Sequence, residues 1–161
     1  MILKTWRAMP ALVEEQSRAL RTSLREALDD ADMPMPPEAE RECFIFVLWS
    51  VHICLMNMRP GMSRTVLQWL HERRIKRVGK GDGRLLAHYR RRRIEALYVV
   101  RNVMLERDGP YWAPPLSTRS ARMFLDKAFA EKGQLPMDVV HSVLRSLKQS
   151  SSACAQRLLA A

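Results

Sequence analysis

Glycine is scarce in this chain, with 6 among 161 residues, and no run alternates apolar and polar side chains as a half-buried strand would. Both absences argue against a sheet protein. Leu, Ala, Arg, Met and Glu, which are good helix formers, fill the sequence instead. Cysteine is also rare. Cys43, Cys54 and Cys154 make an odd number, without the spacing of a metal site or of a disulfide framework. Cys43 and Cys54 fall in an apolar run, where a free thiol behaves as a small core hydrophobe. A reducing, cytoplasmic setting is therefore expected. Residues Met1 to Met9 hold no apolar stretch of signal-peptide length before Pro10.

Catalytic and metal motifs are missing too. The sequence has no His-Glu-x-x-His, no Gly-x-Ser-x-Gly and no Cys-x-x-Cys. The run Gly79-Lys80-Gly81-Asp82-Gly83 lacks both the spacing of a P-loop and a preceding strand, so it is expected to be a plain turn. His71, His88 and His141 are scattered. His88 with Arg91 and Arg92 forms either a phosphate or acid–base group or merely a polar helix face. His52 sits in the apolar run two residues from Cys54, which puts the two on different helix faces; a buried neutral imidazole is the expectation. No metal, no cofactor and no catalytic residue is expected, and a small helical enzyme ranks third among the functions considered.

What the chain does have is an uncharged stretch of sixteen residues, Cys43 to Met58, bracketed by Pro36–Pro37 and Pro60–Gly61. A helix that is apolar nearly all round belongs in a protein core or in a bilayer. A bilayer needs about 20 apolar residues, and lengthening this run brings in Glu42 or Arg59. Core is the expectation, and membrane insertion is not.

Other helices arrange themselves around this one. Pro10 is expected at the start of a first helix, with Leu20, Leu24, Ala27 and Leu28 on its inner face. Met33 to Pro37 reads as a stiff connector, and Glu38, Glu40 and Glu42 then open the second helix at the end its dipole favours. A third helix is expected over Arg64 to Arg77, with Val66, Leu67, Trp69 and Leu70 inward. A fourth spans roughly Arg84 to Glu106, with Leu86, Tyr89, Arg93, Leu97, Val100 and Met104 on one face. A fifth runs from about Thr118 to Lys132, capped by Ser117 and closed by Gly133. The last covers about Met137 to Gln149. Residues 1–9 either fray or pack across the bundle, and residues 150–161 either prolong the last helix or fray. The expected fold is all-α: residues 1–161 as a single-domain bundle of five to six helices around a buried apolar central helix.

Charge is unevenly shared. The chain carries 27 basic and 17 acidic side chains, net +10, and arginine dominates. Residues 59–107 hold fourteen of the basic side chains against four acidic ones, so this section alone matches the whole net charge. Residues 1–58 are net acidic and offer a means of neutralising it. A basic helical hairpin over 62–107 favours polyanions. Its candidate contacts are Arg73, Arg74, Lys76, Arg77, Lys80, Arg84, Arg91 and Arg92. Arg90 to Arg93 fill a whole helical turn, so at least one guanidinium must lie against the core face and either snorkel or find an acidic partner. Trp69, Tyr89, Tyr98, Tyr111 and Trp112 are the aromatics that could stack beside this surface, with Trp69 and Tyr98 expected to pack inward. Tyr111 and Trp112 lie between proline features and suggest either a partner interface or a lid on the bundle.

The leading expectation is a non-catalytic nucleic-acid-binding accessory or regulatory protein, acting through phosphate contacts of low sequence specificity. A helix-turn-helix is not expected, because the turn from Val78 to Gly83 is long and the helix after it longer still. The alternative is an interaction adaptor or secreted effector that engages an acidic protein. Homo-oligomerisation stays open.

Overall fold

The computed structural model describes residues 2–58, 69–70, 72–73, 75–77, 83–84, 86–87, 89–91, 118–130 and 135–160. The fold is an all-α bundle, and no strand occurs among the described residues. Helices α1 (Ile2–Asp29), α2 (Pro37–Met58), α3 (Thr118–Ala128) and α4 (Met137–Ala160) have defined bounds. Helical residues at 69–77 and at 83–91, within the described positions, add two further segments, making six among the described residues.

The apolar run lies at the centre, as its sequence implied. Helix α2 packs against α1, α3 and α4. From Glu42 to Val51 every residue except the half-buried Phe44 is buried. Pro37 opens the helix where its missing N–H has no role, and the Ala39 N–H donates back to the Pro36 carbonyl at 3.0 Å. Helix α3 docks through aromatic edges. The Phe46 and Phe124 rings meet edge-on with centroids 5.9 Å apart, and Phe46 also lies 5.7 Å from Trp49. Such pairs add about 0.5–1.5 kcal/mol beyond the area they bury.

Two boundaries differ from the sequence expectation, at the start of α1 and the end of α3, and a third, the end of α4, takes the longer of the two courses left open for residues 150–161. Helix α1 begins at Ile2 rather than at Pro10, and carries that proline inside. Pro10 supplies no N–H to the carbonyl four residues earlier, but it is exposed, so the loss falls on a side open to water. Continuing the helix keeps Met9 buried beside Leu12 and Val13. Beyond them Leu20, Leu24 and Leu28 complete the expected inner stripe, with Ala27 half-buried.

Helix α4 runs on to Ala160, well past Gln149. Its second half buries Ser150, Ser151, Cys154, Ala155 and Leu158, small side chains that let α1 and α2 pack against it. Ser146 donates to the Ser142 carbonyl at 3.0 Å. With its single proton committed there, Ser146 accepts from Ser23 of α1 at 2.7 Å.

Helix α3 stops at Ala128, short of the expected Lys132. The chain bends at Phe129, whose N–H still reaches the Leu125 carbonyl at 3.0 Å while its ring is buried. Burial of that ring in the core fixes the bend. The expected Ser117 and Gly133 ends lie outside the described residues.

Candidate nucleic-acid interface

The described residues of the expected hairpin fall in the core, at its edge or on the surface. Ile75, Leu86 and Tyr89 are buried and belong to the hydrophobic core. Helical spacing then dictates what faces outward. Arg73 follows Trp69 by four residues, and Lys76 and Arg77 follow Arg73 by three and four, so the four share one broad helix face turned away from Ile75. Arg84 and Arg91 are two turns apart on the next segment, opposite Leu86 and Tyr89. Arg73, Lys76, Arg77, Arg84 and Arg91 are all exposed.

An ion pair joins the two segments. Arg90 donates through Nη2 to Glu72 Oε2 at 2.6 Å. This hydrogen bond, and then the Glu72 charge, raise the Arg90 pKa above its ordinary value. Glu72 and Arg90 stand at equal sequence distance from Gly81, as an antiparallel pairing of the segments requires. Arg90 is exposed, so it is not the inward-facing member expected of Arg90–Arg93; Arg92 and Arg93 lie outside the described residues.

Three acids of the N-terminal section pair away from the hairpin. Glu14 pairs with Arg18 at 3.0 Å, Glu15 with Arg157 at 2.7 Å, and Glu40 with Arg25. They tie α1 to itself, to α4 and to α2. Among the described residues Lys76 and Arg77 have no acidic partner, and the Arg73 guanidinium lies over an aromatic ring rather than a carboxylate. Exposed Arg41, Arg122, Lys127, Arg145 and Lys148 are spread over α2, α3 and α4.

Trp69 is placed differently from the inward position its neighbours suggested. It is 56% exposed, with the Arg73 Cζ 5.2 Å from its ring centroid. Leu70, beside it in sequence, is half-buried. The signal was present in the sequence: Trp69 is in phase with Arg73, Lys76 and Arg77 and out of phase with Ile75. Tyr89 takes the inward place expected of its helix face, and its burial removes it from the stacking candidates.

Arg74, Lys80, Arg92, Tyr98, Tyr111 and Trp112 lie outside the described residues, as do His71, His88 and the Gly79–Asp82 part of the turn. His141 is exposed on α4. The three cysteines are free and fully buried, and desolvation pushes each thiol up to about 12. They are neutral at ordinary pH and lack thiolate character. Among the described residues no cluster of three or more His, Cys, Asp or Glu side chains could hold a metal, and no helix is long and apolar enough to cross a membrane. A cavity of about 250 Å³ lies between the Pro34–Pro37 connector and Ala128–Ala130, with Glu38 at its edge. Its walls are mostly apolar.

No protein-family model matches the chain, and no curated protein or solved structure matches it either.

Proposed function

We propose that this protein is a non-catalytic nucleic-acid-binding accessory or regulatory factor that holds phosphate backbones on its arginine-rich helical hairpin. The observation that supports this most directly is the exposed face bearing Arg73, Lys76 and Arg77, where Lys76 and Arg77 have no carboxylate partner among the described residues. Guanidinium groups match phosphate oxygens in a planar fork, and an ammonium adds a point charge. The hairpin is anchored to the core through Ile75, Leu86 and Tyr89, so the cations are carried on a fixed support. Phosphate contacts carry no sequence information of their own, which suits a factor of broad specificity.

The test is binding to nucleic acid over a salt series. Each phosphate contact contributes about 0.9 to the slope of log affinity against log salt on a duplex. Replacing Arg73, Lys76 and Arg77 together by Gln is expected to lower that slope by about 3 while leaving the helical content intact. Removing charge at Arg91 and Arg92 is expected to weaken binding further. Absence of binding at low salt would overturn the proposal. Polyglutamate bound as tightly as nucleic acid at equal salt would favour the alternative, an acidic protein partner.

A further inference from the structure

Trp69 is unusual in its surroundings. Among the described residues the exposed large hydrophobic side chains are Trp69 and Met137. Met137 opens α4, whereas Trp69 stands on the cationic face of the hairpin, one turn from Arg73 and two from Lys76 and Arg77. Core packing does not explain its position, because Ile75 supplies the inward contact of that segment.

We infer that Trp69, with Arg73 over its ring, is a base-stacking platform that makes single-stranded nucleic acid the preferred ligand. This rests on the phosphate-binding role proposed above and gives it a substrate class. The guanidinium lies 5.2 Å from the ring centroid, within cation–π range. That contact restrains the indole and leaves much of the residue exposed to solvent. An unpaired base offers a π-face of its own and stacks on an indole whatever its identity. Arg73 is then also positioned to contact the phosphate beside that base. Lys76 and Arg77 lie about 10–12 Å further along the helix axis. One base on the indole and phosphates along the cations form a continuous track.

A duplex cannot use this track fully. Its base faces are covered by their neighbours, and it presents only backbone and groove edges. On a duplex Trp69 would sit idle while the cations worked as before. The structure therefore assigns the aromatic to discrimination between strand states, and the cations to affinity in general.

The experiment compares three fluorescein-labelled probes of equal length at one salt concentration: an unstructured single strand, the same strand with abasic sites, and its duplex. Anisotropy titrations are run with the native protein, Trp69→Leu and Trp69→Phe. Stacking of one base on an aromatic accounts for about tenfold in affinity. The intact strand is expected to bind about tenfold tighter than the abasic strand, and tighter than the duplex. Trp69→Leu should lose that factor on the intact strand alone, Trp69→Phe should keep part of it, and the salt slope should stay the same. Equal binding of intact and abasic strands by the native protein would overturn the inference while leaving the phosphate-binding role standing. So would a Trp69→Leu loss shared equally by strand and duplex. Failure of all three probes to bind at low salt would overturn both. The abasic comparison uses only the native chain, so it decides the matter even if a variant misfolds.

Discussion

Arg157 of α4 reaches Glu15 of α1 with a single Nη2, donating to both carboxylate oxygens at 2.7 Å. The pair fastens the last helix of the chain to the first. It also occupies an acid that could otherwise have offset the hairpin. Both side chains are more than half exposed, so the pair stabilises little. A double-mutant cycle with Glu15→Gln and Arg157→Gln is expected to give a coupling energy of about 0.2–1 kcal/mol by urea unfolding. Nucleic-acid affinity of Glu15→Gln should stay at the native value. A marked gain in affinity would mean that Glu15 competes for the hairpin after all.

Asp32 closes α1 with a left-handed backbone, at φ 53°. The Met33 N–H reaches the Leu28 carbonyl at 2.9 Å, and the Asp32 N–H reaches Asp29 at 3.1 Å. These are the two bonds of a Schellman end, with Asp32 where glycine is favoured. Its charge is also adverse at the negative end of the helix dipole. Asp32→Gly is expected to raise stability by about 1 kcal/mol, through relief of the left-handed strain and loss of the charge. Asp32→Asn should recover the charge part, and Asp32→Val should destabilise. A thermal melt ranks the three; a Gly variant no more stable than the native protein would contradict the strain argument.

Helix α2 was legible from composition alone, because sixteen uncharged residues between prolines leave few alternatives to a buried helix. The stripe Leu20–Leu24–Leu28 was legible from periodicity. The second half of α4 was not. Its inner face is built from Ser150, Ser151, Cys154, Ala155 and Leu158, and hydropathy does not separate a small packed hydroxyl from a solvated one. The hydroxyls of Ser17, Ser50, Ser150 and Ser151 are buried without a hydrogen-bond partner among the described residues, which apolar patterning would never propose. Pro10 misled for a similar reason: local propensity placed a helix start there, and the burial of Met9 overrode it. On the hairpin, the charge count identified the basic face, but only the phase of Ile75 against Trp69 shows that the aromatic belongs to it.

The buried thiols make stability fall at alkaline pH. In the unfolded chain Cys43, Cys54 and Cys154 ionise near the ordinary 9.0, whereas in the fold desolvation holds them near 12. For Cys154 the neighbouring Cys54 adds to the upward push. Well below pH 9 both states keep these protons and the thiols impose no pH dependence. Between about 9 and 12 the unfolded chain releases protons that the folded chain retains, so rising pH favours unfolding. Each thiol contributes at most about 1.4 kcal/mol per pH unit in that window. Urea midpoints measured under reductant are expected to hold level to about pH 8.5 and then decline. Lysine and tyrosine also titrate in this range, so the decisive quantity is the difference between the native protein and Cys54→Ala. The variant should lose stability less steeply with pH. Parallel alkaline slopes for the two proteins would show that Cys54 ionises as readily in the fold as outside it.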